Sequence, residues 1–291
     1  MTDFISANLP YLLGGVSVGG QYALISIGYT MVYGILRLIN FAHGDIFTVA
    51  GFFMVYMSAT MPLYISLPLT ILLTVALGFG VERVAYKPLR QAPRMSVMIS
   101  AIGVSYLLQN LMWYVTGGLA KQYPTVPFIS GTVTVYTATT KMVTLVTPVL
   151  TFVLVIALVQ LINHTKIGMA MRAVSKDFET AKLMGIKIDR VISTTFVIGS
   201  FLCVLGDTAT LYVTPTVGAM PGLKAFVAAV FGGIGSIPGA VIGAFIIGIS
   251  ENVIKALGLT TFSDAFTFAL LIFILIFKPS GLFGEDDNEK V

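Results

Sequence analysis

Ionisable side chains interrupt the long apolar runs of this sequence at only a few positions. His43 and Asp45 stand at the start of one run, Asp207 near the end of another, and Glu251 near the end of a third. An ionisable group in such a run costs free energy unless it is paired, so each indicates either a functional group or a structural partner. The chemistry open to them is proton transfer, metal binding or contact with an oppositely charged molecule.

Each of these groups also has a structural interpretation. His43 and Asp45 are too few to enclose a metal ion, so a hydrogen bond at a bend is favoured. Asp207 would contact an ammonium group in a pathway, or would lie at the external interface beyond a helix that ends early. Glu251 has Lys255 one turn on, which favours an i,i+4 ion pair.

The residue pattern of catalysis is missing from the sequence. No nucleophile, base and orienting group stand together, and no cluster of His, Cys, Asp or Glu has the spacing of metal ligands. The single cysteine, Cys203, has no second cysteine with which to form an internal disulfide. We therefore predict no catalytic residue, no metal site and no enzymatic activity in this chain.

The composition requires a surface that faces lipid. Of the 291 residues 56% are hydrophobic and only 10% are charged, and the mean hydropathy is +0.93. A soluble domain is nearer one quarter charged, because it needs a solvated surface. The net charge of +4 lies in short loops between apolar runs, with no basic stripe that carries interleaved aromatic residues, so nucleic acid is not expected as a partner.

Eight apolar runs approach the roughly 20 residues that a helix needs to cross a membrane core of about 30 Å. Only helices and closed barrels satisfy their backbone in lipid, and continuous runs without alternation argue against a barrel. We predict an all-α fold, a polytopic transmembrane helical bundle that forms a single domain over residues 1–291. The runs lie at about 10–36, 42–61, 63–81, 96–116, 143–163, 191–213, 225–250 and 262–277.

Polar or glycine residues interrupt the apolar pattern near 38–45 and near 225–240. Interrupted hydrophobic segments of this kind often form broken or re-entrant helices that line a solute path. The alternatives are an ordinary interhelical turn at 38–45 and a proline kink within 225–250, and both remain open. The residues that would contribute to such a path are Asn40, His43, Gly44, Asp45, Gly232, Gly233 and Gly235.

Loop charge predicts the orientation in the membrane. Residues 82–94 and 164–190 carry an excess of Lys and Arg, so both are predicted to be cytoplasmic. The segment between them, 117–142, is then external and contains a short predicted strand or hairpin. The N-terminus lies outside, and the side of the C-terminus depends on whether 225–250 crosses once or twice. The acidic tail, 285–291, is expected to be disordered.

Glycines at four-residue intervals predict close helix packing. Gly15 and Gly19 form one pair, and Gly235, Gly239 and Gly243 repeat the spacing in a later run. Such faces let two backbones approach closely in lipid, where no hydrophobic drive brings helices together.

The long polar loop at 164–190 contains a short predicted helix over about 176–184. Ser175 can cap its first turn, the acidic residues in that turn suit the helix dipole, and Gly185 suits the position that follows the last turn.

This predicted helix has one small apolar face, formed by Val174, Phe178 and Ala181 at i, i+4 and i+7. A free helix of about nine residues is marginal in water, so it needs a surface on which to dock. A helix lying in the lipid interface would have a larger face with Trp or Leu, and a groove in another subunit is therefore favoured.

The same loop resembles the cytoplasmic coupling loop of ATP-binding cassette (ABC) importer permeases, through Gly168-Met169-Ala170-Met171-Arg172-Ala173, Ala181 and Gly185-Ile186. More narrowly, the chain resembles the permeases of branched-chain (hydrophobic) amino acid importers from about Gly14 to Gly284. The segments that carry this resemblance are Ile39-Asn40-Phe41-Ala42-His43-Gly44-Asp45, Tyr86-Lys87-Pro88-Leu89-Arg90, Gly222-Leu223-Lys224-Ala225-Phe226, Gly232-Gly233-Ile234-Gly235-Ser236-Ile237-Pro238-Gly239-Ala240 and Lys278-Pro279-Ser280-Gly281-Leu282-Phe283-Gly284.

The resemblance implies a mechanism and its partners. Two permeases, the second expected to be a homologue, would face each other in the lipid of a bacterial or archaeal cytoplasmic (inner) membrane. Two ATPase subunits would dock on their coupling loops, and an extracytoplasmic binding protein would deliver hydrophobic amino acids. This chain would bind no cofactor, because ATP and Mg²⁺ belong to the ATPase subunits.

The family pattern also implies structural details. A separate short helix is expected around 224–235, and with it a cytoplasmic C-terminus. The coupling-loop residues that the resemblance implies are Gly168, Arg172, Ala173, Phe178, Ala181 and Gly185.

A stand-alone ion-coupled secondary transporter of a small solute is the alternative function. It would explain buried acids without partner subunits, but it gives the segment 168–186 no role. The chain has no GxxxxGK[ST] phosphate-binding loop, so an ATP-driven system needs separate ATPase subunits. Asp207 and the bulky residues at 201–206 depart from the family pattern, and they leave the exact solute open.

Overall fold

The computed structural model describes residues 2–90, 92–124, 131–135, 138–206 and 212–284, with the backbone alone for residues 2–7, 135 and 138. Asp207 and the acidic tail at 285–291 lie outside these residues. The α-helices are α1 (Thr2–Leu36), α2 (His43–Thr60), α3 (Leu63–Val81), α4 (Arg94–Thr116), α5 (Met142–His164), α6 (Lys166–Lys176), α7 (Phe178–Leu183), α8 (Ile188–Gly206), α9 (Ala219–Gly232), α10 (Ile237–Ala256) and α11 (Ser263–Phe277).

Shorter elements extend or connect these helices. A π-helical turn at Glu82–Tyr86, called here the π-segment, continues α3, and a 3-10 turn at Thr260–Phe262 leads into α11. The strands are β1 (Lys121–Gln122), β2 (Thr132–Val135), β3 (Ala138–Lys141) and β4 (Tyr212–Val213). β2 pairs with β3 as the predicted hairpin, and β1 pairs with β4, both antiparallel.

The fold is the predicted helical membrane bundle, although the count of eight runs was only approximate. Six helical stretches among the described residues are long and apolar enough to cross a membrane. The run at 42–61 corresponds to α2, whose first three turns are almost wholly buried inside the bundle. The six stretches are Leu63–Tyr86, Arg94–Thr116, Met142–His164, Ile188–Gly206, Ile237–Ala256 and Thr260–Phe277.

The run at 225–250 is two helices and not one kinked helix. α9 ends at Gly232, Gly233 and Gly235 adopt positive φ angles of 107° and 100°, and α10 begins after Ser236. The Ser236 hydroxyl caps α10 by accepting a hydrogen bond from the Gly239 N–H at 3.2 Å. With 14 residues, α9 is about 21 Å long, which is too short to span the membrane core.

The segment near 38–45 is a true break in the helices. α1 ends at Leu36, Arg37 adopts a positive φ of 52°, and α2 begins only at His43, beside Gly28 of α1. The first residue of α2 therefore lies beside α1 about two helical turns before the C-terminal end of that helix. α9 begins at the same depth, because the Gly218 N–H donates to the Thr48 hydroxyl at 2.9 Å.

The C-terminal segment lies at the end of the bundle predicted to be cytoplasmic. The N–H groups of Leu282 and Phe283 donate to the last carbonyls of α9, at Phe231 and Gly232, over 3.0 and 2.9 Å. α9 runs from the interior of the bundle to its predicted cytoplasmic end, and α10 runs back towards the other end. Both basic loops and residues 278–284, the C-terminal segment, therefore lie on one side. This arrangement agrees with the side that the resemblance implied.

α1 packs most closely against α10, backbone to backbone. A Cβ atom at Gly15 would meet the Ile249 Cα at 2.9 Å, and a Cβ atom at Gly19 would meet the Phe245 Cα at the same distance. Gly239 and Gly243 instead face α9, where they contact Gly232 and the Ala228 carbonyl. All four glycines therefore stand where a second backbone leaves no room for a side chain.

We predict that Gly19→Leu destabilises the bundle by at least about 1–3 kcal/mol, the usual cost of overpacking, because the new side chain would overlap the backbone of α10. Gly103→Leu in α4 is the matched control, since this glycine is exposed and a Cβ atom there would meet nothing within 4 Å. Reaction of the fully buried Cys203 with a thiol-reactive dye during heating in detergent measures both. Equal melting temperatures for the two variants would contradict the packing described.

Candidate functional site

The loop at 164–190 folds into two short helices that turn back onto the end of α5. The Thr165 hydroxyl caps α6 by accepting a hydrogen bond from the Gly168 N–H at 3.1 Å. Gly168 lies directly against the Ile162 backbone, where a Cβ atom would overlap the main chain. Arg172 donates to the Asn163 side chain at 3.0 Å, so both predicted residues hold α6 close to α5.

α7 begins two residues later than the sequence predicted, because Asp177 and not Ser175 is its cap. The Asp177 carboxylate accepts hydrogen bonds from the N–H groups of Glu179 and Thr180 and from the Thr180 hydroxyl. These bonds, the Thr180 hydroxyl first, lower the pKa of Asp177 below its usual range. Ser175 lies in the last turn of α6, where its hydroxyl donates to the Arg172 carbonyl.

The end of α7 follows the predicted glycine cap. Gly185 adopts a positive φ of 80°, and the Ile186 N–H donates to the Ala181 carbonyl at 3.1 Å, which closes the helix. Val174 and Ala181 are already buried within this chain, so the expectation that this part of the apolar face docks on another subunit is wrong. Ala173 is half-buried, and Phe178 remains 38% exposed.

The most exposed apolar residues of the loop are two that the sequence did not single out. Leu183 and Met184, at the end of α7, are 85% and 78% exposed. Their signal was present in the sequence, as two large apolar residues that stand directly before Gly185 in an otherwise charged loop. We call α6, α7 and the residues up to Gly185 the coupling segment.

Ion pairs join the two basic loops. Asp189, in the first turn of α8, pairs with Lys87 at 2.8 Å and with the Arg90 guanidinium. The Asp189 side chain is 57% exposed, so this end of the cluster lies at the rim of the bundle. Arg90 also pairs with the fully buried Glu82, whose second oxygen accepts a hydrogen bond from the Ser193 hydroxyl at 2.9 Å.

The π-segment connects this ion-pair cluster to the break between α1 and α2. Glu82 is its first residue and Tyr86 its last. The Tyr86 hydroxyl donates to the Asn40 side-chain oxygen at 2.8 Å, and both residues are buried. The Asn40 amide nitrogen has no hydrogen-bond partner among the described residues.

His43 and Asp45 do not form a joint site, because they point to different helices. The His43 ring lies against Gly28 and Gly199 and 3.5 Å from the Cys203 sulfur, between α1 and α8. Asp45 accepts a hydrogen bond from Gln109 of α4 at 2.9 Å. In the described part of the chain, no three His, Cys, Asp or Glu side chains group as metal ligands would.

The predicted path residues fall into two groups, one near the start of α9 and one at and just after its end. Gly44 at the start of α2 contacts the backbone of α9 at Gly218 and Gly222. Gly233 packs against Gly284, and Gly235 is open on the side where a Cβ atom would stand. A shallow, mostly apolar cleft opens beside the two breaks, and its walls are Tyr29, Tyr33, Ile39, Phe226, Ala229 and Ile234.

A family model described as the branched-chain amino acid transport system permease component matches residues 11–275. The chain belongs to this family. It is 39% identical to the high-affinity branched-chain amino acid transport system permease protein LivH of Escherichia coli (strain K12), over 97% of both chains. It is 38% identical to the corresponding protein BraD of Pseudomonas aeruginosa, over 97% of this chain and 98% of that one.

A solved structure supports the fold independently of these relatives. It is an inward-facing conformation of a transporter described as of the metal-chelate ABC type, and it covers 94% of this chain and 88% of its own with a TM-score of 0.52. The sequence identity is 18%, so the likeness concerns the fold alone. Family membership shows a multi-pass membrane permease of an ABC system and decides against a stand-alone ion-coupled transporter.

The permease contains a second buried ion-pair network, of which the sequence predicted only one pair. Glu251 pairs with Lys255 at 2.7 Å, the predicted i,i+4 contact, and also with the buried Lys224 of α9 at 3.0 Å. Lys224 reaches Asp264 of α11 at 2.6 Å, and the Tyr22 hydroxyl of α1 donates to Glu251 at 2.9 Å. Four helices are thus tied together through one carboxylate and one lysine.

We predict that Glu251→Leu destabilises the permease by about 3 kcal/mol, because it leaves Lys224 buried with one of its two carboxylate partners removed. Adding Lys224→Met to this variant should restore part of the loss, since the uncompensated charge is removed as well. Thermal unfolding followed through Cys203 measures the single and double variants. A double variant whose loss equals the sum of the two single losses would show that the two residues are not coupled.

Proposed function

We propose that the chain forms, with a second and homologous permease, the translocation path of an ABC importer for branched-chain or other hydrophobic amino acids. An extracytoplasmic binding protein delivers the amino acid, and two ATPase subunits, which bind ATP and Mg²⁺, drive the transport. The relatives supply the substrate class, since the E. coli and P. aeruginosa proteins are named as parts of branched-chain amino acid transport systems.

The observation that carries the ATPase partnership is the exposed tip of the coupling segment. Leu183 and Met184 are largely exposed, yet charged residues such as Lys182 and Lys187 flank them. Two large apolar side chains in a charged loop suit the groove of a cytoplasmic partner better than lipid. In this proposal the other predicted residues of the loop fold the coupling segment and fix its orientation, and Phe178 extends its apolar tip. Those residues are Gly168, Arg172, Ala173, Ala181 and Gly185.

The two breaks in the helices support a path beside the cleft. The four predicted path residues around the start of α2 are buried within the chain: Asn40, His43, Gly44 and Asp45. In our proposal they shape the start of α2 and do not themselves line the path. Gly232, Gly233 and Gly235 similarly shape the turn between α9 and α10. The aromatic and aliphatic walls of the cleft match the apolar side chains of the proposed amino acids.

Transport by liposomes tests the proposed activity. Liposomes that hold the complete importer should take up leucine, isoleucine or valine only when ATP is present and only with the binding protein outside. Liposomes that hold this chain alone should take up none of them under a proton or sodium gradient. Gradient-driven uptake by the chain alone would overturn the proposal, and ATP-driven uptake of a different solute class would overturn the substrate.

Substitution at the coupling segment tests the docking. We predict that Leu183→Asp with Met184→Asp reduces co-purification of the ATPase subunits at least about tenfold, because a charge replaces each apolar contact at the proposed interface. Leu257→Asp is the matched control, a similarly exposed leucine in the turn after α10 at the other end of the bundle. Ala181 is unsuitable for this test because it is buried, and a change there would disrupt the segment itself. Unchanged co-purification of the double variant would contradict the docking.

A further inference from the structure

A continuous line of polar contacts leads from the first turn of α8, which follows the coupling segment directly, to the break between α1 and α2. It begins at Asp189, four residues after Gly185, in the first turn of α8. Arg90 bridges Asp189 to Glu82, and Glu82 opens the π-segment. Tyr86 closes the π-segment and donates to Asn40 in the turn at 37–42.

The burial of these groups makes the line mechanically significant. Glu82, Tyr86 and Asn40 are each exposed by 1% or less, and Arg90 is mostly covered. Surface ion pairs contribute little, but a buried carboxylate held by a guanidinium and a hydroxyl is costly to separate. Asp189 itself is largely exposed, but the Ser193 hydroxyl of α8 also donates to Glu82 at 2.9 Å. A displacement of α8 is therefore passed to Glu82 through this second contact as well as through Arg90.

The π-segment, and the contact that it makes with Asn40, are suited to a change between two arrangements. Its wide turn is closed by an i+5 hydrogen bond from the Lys87 N–H to the Glu82 carbonyl at 2.8 Å. Conversion of one such turn to α-helix rotates the residues that follow by about 100°. At the far end of the route, the described residues hold the buried Asn40 side chain through one hydrogen bond, which its oxygen accepts from the Tyr86 hydroxyl, so a rotation of Tyr86 acts directly on the turn at 37–42.

We propose that Arg90, Glu82 and Tyr86 are positioning residues that transmit movement of the coupling segment to the turn at 37–42 beside the cleft. This inference rests on the proposed function, since it assumes that ATPase subunits move the coupling segment. It adds the route by which that movement reaches the interior of the membrane. The residues on the route contact neither ATP nor solute; they act by holding the π-segment between two moving parts.

The test compares uptake with ATP hydrolysis in liposomes that hold the complete importer. Tyr86→Phe and Arg90→Gln should each lower the number of amino acids taken up per ATP hydrolysed by about fivefold or more, the lower range of allosteric coupling. Because the two residues act in series, the double variant should be no worse than the more impaired of the two single variants. Arg90→Lys, which keeps the charge but loses the two-way bridge, should show an intermediate ratio.

Tyr22→Phe is the matched control for Tyr86→Phe. It removes a buried tyrosine hydrogen bond of almost the same length, 2.9 Å to Glu251, but it lies off the route. It should lower the melting temperature and leave the uptake per ATP unchanged. A merely structural role for Tyr86 would give the same result as this control.

The outcomes separate the two proposals. If the wild-type complex transports with ATP, and the ratio is unchanged in Tyr86→Phe and in Arg90→Gln, the route is wrong while the proposed function stands. A double variant whose loss is the product of the single losses would also overturn the route, because it would show two independent effects. If the wild-type complex does not form, or transports without ATP, the proposed function fails and the route with it.

Discussion

The close approach of α1 and α10 is the constraint on which the rest of the bundle depends. Lipid offers helices no hydrophobic reason to associate, so their attraction comes from packing and from polar contacts. Gly15 and Gly19 let the two backbones touch at α10 residues 245 and 249. With α10 placed, α9 must turn back at Gly233 and Gly235, and the half-length helix then meets the start of α2 inside the membrane.

The two buried glutamates of the interior are likewise stabilised by direct contacts between helices. Glu82 is held by both Arg90 and Ser193, and Glu251 is held by two lysines and Tyr22. These two networks lie toward opposite ends of the bundle. One ties α3 and the π-segment to α8, and the other ties α1 and α9 to α10 and α11, so most of the long helices are joined in one of two groups.

Much of this structure follows from the sequence, and the exceptions have physical causes. Composition and run length predict the helical membrane fold. Polar and glycine residues mark 38–45 and 225–240 as interruptions, but they predict a break no more strongly than a turn or a kink, and only the resemblance favoured a separate short helix near 225. The cap of α7 was predicted at the wrong residue because Ser175 and Asp177 are both good capping residues. Only the folded loop shows that Ser175 belongs to the last turn of α6, which leaves Asp177 to cap α7. Lys224 and Arg90 were not singled out, because their carboxylate partners lie on other elements and side-chain pairing across helices leaves no periodic signal. Roles at the path and at the coupling segment stay predictions.

The cap that the C-terminal segment places on α9 has a consequence for how the chain is made. The carbonyls of Phe231 and Gly232 receive their hydrogen bonds from Leu282 and Phe283, which lie far later in the chain. During synthesis these two carbonyls therefore lack these partners until residues 282 and 283 have been added to the chain. The last turn of α9 is capped only after α10 and α11, which lie between it and the capping residues, have both been made. The cap thus links the end of this half-length helix to the completion of two later helices.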